Sequence, residues 1–145
     1  MSTVCCDTSL LISFYGNNSL TPRAKSLVRS LGQPLSLTIL NQLEFENAVR
    51  ALAWRKICTG ADATAWQDAL AGDLNSGEVL IVTCDLSAVV AEARRLTAKH
   101  VSTGGYRVFD ILLVAAALEV GATHFLTFHA NQRKLAQAEK LKVAP

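Results

Sequence analysis

Thr3-Val4-Cys5-Cys6-Asp7-Thr8-Ser9-Leu10-Leu11 is the stretch on which the fold turns. A short β-favouring run stops at an acid, and a helix-compatible run begins within two residues of it. The pattern reads as a strand over residues 3–6, a short helix over 9–15 and a turn at Gly16-Asn17-Asn18. Asp7 therefore falls at the carboxyl end of the first strand.

The same grammar repeats outward from there. Thr21-Pro22 opens a helix to about residue 31, with proline at an early position where its missing N–H costs nothing, and Gly32-Gln33-Pro34 ends it. Residues 35–37 form a candidate second strand, and Thr38 is a good N-cap for a long helix to about 55. A helix over 61–74 stops at Asn75-Ser76-Gly77, residues 79–83 are β-rich, and Asp85 caps a helix to about 100. A loop is expected at 102–105, an apolar helix over 107–120 ending at Gly121, a strand over 124–127 and an amphipathic helix over about 131–140. Strands separated by helices imply a mainly parallel sheet covered on both faces, a three-layer α/β/α arrangement of Rossmann-like type. No linker, repeat or low-complexity tract divides residues 1–145, so one domain is expected. In such sheets ligands gather beyond the carboxyl ends of the strands.

Half of the residues are hydrophobic and 18% are charged, which is far from a disordered composition. The mean hydropathy of +0.27 raises the question of a membrane. Yet the longest apolar run, Ile111 to Leu118, is far short of the roughly 18–20 residues that a spanning helix needs. The amino terminus has no basic region, and Asp7 interrupts the only early apolar stretch, so no signal peptide is expected. A cytoplasmic protein with a buried sheet and an apolar partner surface fits better. The net charge of +2 neither demands nor excludes nucleic acid; Lys and Arg concentrate at residues 23–29, 50–56 and 133–142. Cys5, Cys6, Cys58 and Cys84 include no C-x-x-C pair, and they read as reduced, buried structural thiols. Trp54 and Trp66 read as packing residues, although an apolar helix pair around residues 51–70 would equally suit a docking partner or second subunit.

Three acids stand in unusual company. Asp7 suits a helix N-cap as well as a ligand position. Glu44 shares a helix face with Leu40, Ala48 and Ala51, where a carboxylate must be paired, hydrogen-bonded or metal-bound. A salt bridge to an arginine is the plain alternative. Asp110 is the lone acid in the apolar run 108–118, and Arg107 is its plain ion-pair alternative. Together they form an oxygen-rich set that suits Mg²⁺ or Mn²⁺. Such a site can activate water and neutralise charge on a phosphodiester.

These residues resemble a known family, the PIN-domain ribonucleases. Val4-Cys5-Cys6-Asp7-Thr8-Ser9-Leu10-Leu11 is similar to the opening strand and first acid of PIN domains. Thr38-Ile39-Leu40-Asn41-Gln42-Leu43-Glu44 with Ala48 and Arg50 resembles the second-acid helix. Arg107-Val108-Phe109-Asp110-Ile111-Leu112, running into Ala115-Ala116-Ala117-Leu118, resembles the third, and Phe125-Leu126-Thr127-Phe128 closes the set. Within the family the spelling is most similar to the toxins of bacterial VapBC toxin–antitoxin modules. The resemblance implies a Mg²⁺- or Mn²⁺-dependent endoribonuclease with Asp7, Glu44 and Asp110 as catalytic metal ligands. It also implies a homodimer neutralised by a small antitoxin. Two positions depart from the pattern: His129 stands where the family has a fourth acid, and Leu113 where it often has histidine. Ser9, Thr127, His129 and Asn131 are accessory candidates, and Arg50, Arg107 and Arg133 are candidate RNA contacts. The rival expectation is a PIN-fold module that binds RNA or protein through a degraded site. A phosphatase with Asp7 as nucleophile lacks the second acid two residues on, where Ser9 stands.

Overall fold

The computed structural model describes residues 2–145. The chain runs β1 (Val4–Cys6), α1 (Thr8–Tyr15), α2 (Thr21–Ser30), β2 (Leu35–Leu37), α3 (Ile39–Trp54), α4 (Gly60–Ser76), β3 (Val79–Ile81), α5 (Leu86–Gly104), α6 (Val108–Glu119), β4 (His124–Leu126), α7 (Ala130–Ala138) and β5 (Lys142–Ala144). All paired strands are parallel. One ladder joins β1, β4 and β5, pairing Cys5 with Phe125 and Phe125 with Val143; the other pairs β2 with β3, Ser36 opposite Leu80. β2 packs beside β1, which brings the two ladders together as one central layer.

Side-chain alternation along the strands sorts the helices into two outer layers. Cys5 and Phe125 point to one face, where they pack with Val89, Leu96, Val114 and Leu135 from α5, α6 and α7. Val4, Cys6 and Leu126 point to the other, against Leu10 and Leu11 of α1, Ala24 of α2, Phe45 and Val49 of α3 and Leu70 of α4. The result is the three-layer α/β/α arrangement expected from the sequence. Strands of three residues buried on both faces explain the continuous apolar runs and the high hydropathy. Among the described residues no helix is long and apolar enough to cross a membrane.

Several local expectations need correction. Residues 102–104 continue α5 rather than forming a loop; the helix closes at Gly105, whose left-handed backbone (φ 63°) returns its N–H to Val101. β5 has no counterpart among the expected strands, because Lys142-Val143-Ala144 carries almost no intrinsic signal and exists as a strand through pairing with β4. Trp54 is 84% exposed instead of packed, whereas Trp66 is half-buried among α1 and α4 side chains. All four cysteines are free, as expected, but only Cys5 and Cys6 are buried; Cys58 and Cys84 are half-buried. Burial pushes the Cys5 thiol up to about 12 and raises Cys6 well above its ordinary value, so neither presents a thiolate at neutral pH.

Candidate functional site

Asp7 ends β1 and caps α1. Its Oδ1 accepts the Leu10 N–H at 2.9 Å, while Oδ2 accepts the Ser9 hydroxyl at 2.7 Å and the Thr127 hydroxyl at 2.6 Å. The side chain is buried, so desolvation raises its pKa; the bonds from Thr127, Ser9 and Leu10 and the nearby His129 work in the opposite direction. Thr127 lies at the carboxyl end of β4, the strand paired with β1, so the parallel register delivers its hydroxyl to Asp7. Its oxygen also accepts the His129 N–H at 2.9 Å, tying the start of α7 to the same carboxylate.

Glu44 is half-buried on α3, beside the core row Asn41, Phe45 and Val49. Burial raises its pKa; the Thr8 hydroxyl counteracts this, and Asp110 and Asp7 push it up further. Glu44, on the helix that follows β2, thus feels both Asp7 at the end of β1 and Asp110 on α6. Neither plain alternative is realised: among the described residues, Asp7, Glu44 and Asp110 make no salt bridge, and Glu44 has no arginine partner. Asp110 sits half-buried in the first turn of α6, where the helix dipole favours an acid, and Gln132 of α7 donates to its backbone carbonyl at 3.2 Å.

The donor set suits a hard divalent cation: carboxylate oxygens of like charge, none of them in a salt bridge. A second sign is Thr8 Oγ1, the only buried side-chain polar atom among the described residues without a hydrogen-bond partner. Although Thr8 influences Glu44, the pair does not meet hydrogen-bond geometry. As placed, no three Asp, Glu, His or Cys side chains among the described residues converge closely enough to hold an ion. Asp7 is locked by three donors, whereas Glu44 and Asp110 are half-exposed. The fit to a cation is one of donor chemistry and location.

The accessory candidates divide. Ser9 and Thr127 contact Asp7 directly; His129 is exposed at the N-cap of α7, and Asn131 is exposed in its first turn. Of the basic candidates, Arg50 is exposed and 3.9 Å from Glu46, and Arg107 is exposed at the N-cap of α6. Arg133 is bonded to the Pro145 carbonyl. Three residues near the acids carry little signal in the sequence. Asn41 donates to the Cys6 carbonyl at 3.0 Å while its oxygen accepts the Thr38 N–H at 3.0 Å and hydroxyl at 3.2 Å, so it pins the start of α3 to the end of β1. Its only sequence signal is the three-residue spacing from an N-cap threonine. Arg23 stacks 5.6 Å from the Phe128 ring centroid, next to Thr127 in the chain, and Thr8 is the third. The roughly 670 Å³ cavity lined by Arg29, Gln33, Pro34, Asp73 and Glu78 lies at the amino ends of β2 and β3, away from the acids.

Comparison with known proteins places the fold. No family model matches the chain, and no curated protein matches its sequence. In structure it is similar to a chain of VapBC2 from Rickettsia felis, solved bound to a DNA fragment from its promoter. That match has a TM-score of 0.64 at 12% identity and covers 98% of this chain and 97% of that one. It is also similar to a chain of FitAcB from Neisseria gonorrhoeae, with a TM-score of 0.62 at 16% identity, covering 99% of this chain and 97% of that one. Near-complete coverage of both chains at such low identity speaks for a shared PIN-like architecture.

Proposed function

We propose that this chain is a Mg²⁺- or Mn²⁺-dependent endoribonuclease and the toxin member of a toxin–antitoxin pair, with Asp7, Glu44 and Asp110 as metal ligands. The observation that supports the reading is Asp7 at the carboxyl end of β1 with Glu44 close enough to feel both it and Asp110, none of the three in a salt bridge. The likeness to VapBC2 supports it, since the motifs of this chain resemble the toxins of VapBC modules.

Within this reading Asp7 is the fixed point, held by Ser9, Leu10 and Thr127 so that its carboxylate enters the site with one orientation. Glu44 on α3 and Asp110 on α6 would complete the ligand set. A cation held there would supply Lewis-acid polarisation of a phosphodiester and of an attacking water, and hydrolysis of this kind would leave 5′-phosphate and 3′-hydroxyl ends. Arg23, Arg50 and Arg107 are the candidate phosphate contacts, all exposed. Exposed Ile39, Leu43, Trp54 and Ile57, on α3 and the turn after it, offer apolar surface to an antitoxin or to a second copy in a homodimer.

RNA cleavage assayed with Mg²⁺ or Mn²⁺, with and without chelator, tests the assignment. Asp110→Asn is expected to lower cation-dependent cleavage by more than the roughly 10–100-fold typical of outer-shell changes. Undiminished cleavage would sink the mechanism. One observation favours the second reading, a module that binds RNA or protein without cutting: exposed His129 occupies the expected fourth-acid position. RNA binding that persists with no Mn²⁺ uptake would select that reading.

A further inference from the structure

Arg23 lies in the first turn of α2, and it is exposed. A cation there faces the positive end of the helix dipole, so helix electrostatics disfavours it. No acid stands in that turn, and among the described residues Arg23 is in no salt bridge. What holds it is an aromatic ring: its Cζ lies 5.6 Å from the centroid of Phe128. Phe128 is half-buried and packs against the core that α1, α2, α3 and α4 share, so the ring is a fixed platform.

The platform stands at the edge of the candidate site. Phe128 follows Thr127, whose hydroxyl bonds Asp7, and precedes His129, whose N–H bonds the Thr127 oxygen. The contact with Phe128 therefore brings the start of α2 to the carboxyl end of β4, beside Asp7. A guanidinium seated on a ring keeps its N–H edges free, and its planar fork matches two oxygens of a phosphate. The other exposed arginines offered to RNA lack such a seat. Arg50 lies 3.9 Å from Glu46 and Arg107 is the N-cap of α6, and among the described residues neither lies over an aromatic ring.

We propose that Arg23, fixed over Phe128, takes a phosphate of a single RNA strand entering the site, with Phe128 as its positioning residue. The proposal rests on the RNA reading above and deepens it, yet it requires no bound cation and holds for a cutting and a non-cutting protein alike. Because Arg23 is ordered before RNA arrives, less side-chain freedom is lost on binding than at an untethered surface arginine.

Binding of a labelled single-stranded oligoribonucleotide in EDTA, measured over a series of salt concentrations below the Tm of each protein, tests this apart from the metal site. Arg23→Ala is expected to weaken binding about 10-fold and to lower the slope of log K against log salt by about 0.7. Arg23→Lys should keep the slope but recover only part of the affinity, since an ammonium lacks the fork. Phe128→Leu should weaken binding about 2- to 5-fold with the slope unchanged, and Phe128→Tyr, which keeps the ring, should bind as wild type. In the double variant Phe128→Leu should add nothing to Arg23→Ala. Arg29→Ala, at the far end of α2, serves as the control for general charge and should stay within about 2-fold of wild type. Arg23→Ala binding no more weakly than Arg29→Ala overturns the assignment and leaves RNA binding standing. A Phe128→Leu loss that adds in full to that of Arg23→Ala overturns the positioning role, because it marks packing alone. A wild type that binds no RNA overturns the RNA reading and this proposal together.

Discussion

Replacing Thr127 by valine removes one oxygen and almost no volume, so the change isolates hydrogen bonding at the heart of the site. The lost hydroxyl donates to Asp7 Oδ2 at 2.6 Å inside a fully buried environment. A hydrogen bond to a charged group contributes about 1.5–3 kcal/mol. The same oxygen accepts the His129 N–H at 2.9 Å, but His129 is exposed, so water replaces that partner at a cost of a few tenths of a kcal/mol. The expected total is about 2–3 kcal/mol. With roughly 2.1 cal/mol/K of unfolding entropy per residue, the 145-residue chain should lose about 7–10 °C in Tm. The pH dependence supplies a sharper check. In the folded wild type, burial raises the Asp7 pKa and the Thr127 bond restrains that rise. Without the bond the folded state holds its proton to still higher pH than the unfolded chain. Between those two pKa values the folded state binds more protons, so stability falls as pH rises. The deficit should therefore be small in acid, grow as pH climbs from the ordinary carboxylate range, and level off once Asp7 is ionised in both states. Urea unfolding of metal-free wild type and variant at about pH 4 and pH 8 reads both values. A deficit below roughly 0.5 kcal/mol at pH 8, or one larger in acid than near neutrality, refutes the reasoning.

Two further substitutions probe how the site is braced. Asn41→Ala should cost at least about 2 kcal/mol, because it strips the Cys6 carbonyl of its donor and breaks the capping box that starts α3; chemical denaturation measures it, and a neutral result would deny Asn41 its bracing role. Glu139 receives Lys99 at 3.1 Å and His100 at 2.8 Å together with Arg95; although its own burial raises its pKa, bonds to Arg95, His100 and Lys99 outweigh that and lower it to about 2. That network stabilises the fold above about pH 4.5, and the contribution fades as pH falls toward 2. Arg95 and Lys99 are largely exposed and screened, so Glu139→Gln should cost only about 1 kcal/mol near neutrality; melts at several pH and salt values check this, and a deficit that persists undiminished at pH 2 contradicts it.

Most elements are legible along the chain because their signals are local. Thr38, Thr59, Asp7 and Asp85 cap helices by reaching two or three residues ahead, and Gly77 and Gly105 end helices in a left-handed backbone that glycine adopts without strain. Alternating strands and helices imply a parallel sheet, and the end of the first apolar run by itself marks Asp7 as a strand-end residue. β5 is not legible in this way, because three residues of Lys, Val and Ala acquire strand character only from the neighbour they pair with. Trp54 misleads because aromatic residues usually pack, while α3 turns this one away from both cores.

The candidate site divides along the same line. Residue order alone places Asp7, Glu44 and Asp110 near strand or helix starts, since capping, helical periodicity and the cost of an acid in an apolar run act over a few residues. What joins them is not local. Thr127 reaches Asp7 across 120 positions, and Asn41 reaches the Cys6 carbonyl across 35. Those contacts depend on parallel register and on helix packing, which no short window of sequence encodes. The unspent hydroxyl of Thr8 is invisible at that level as well, because a hydrogen bond that is missing can be recognised only after every neighbour has taken its place.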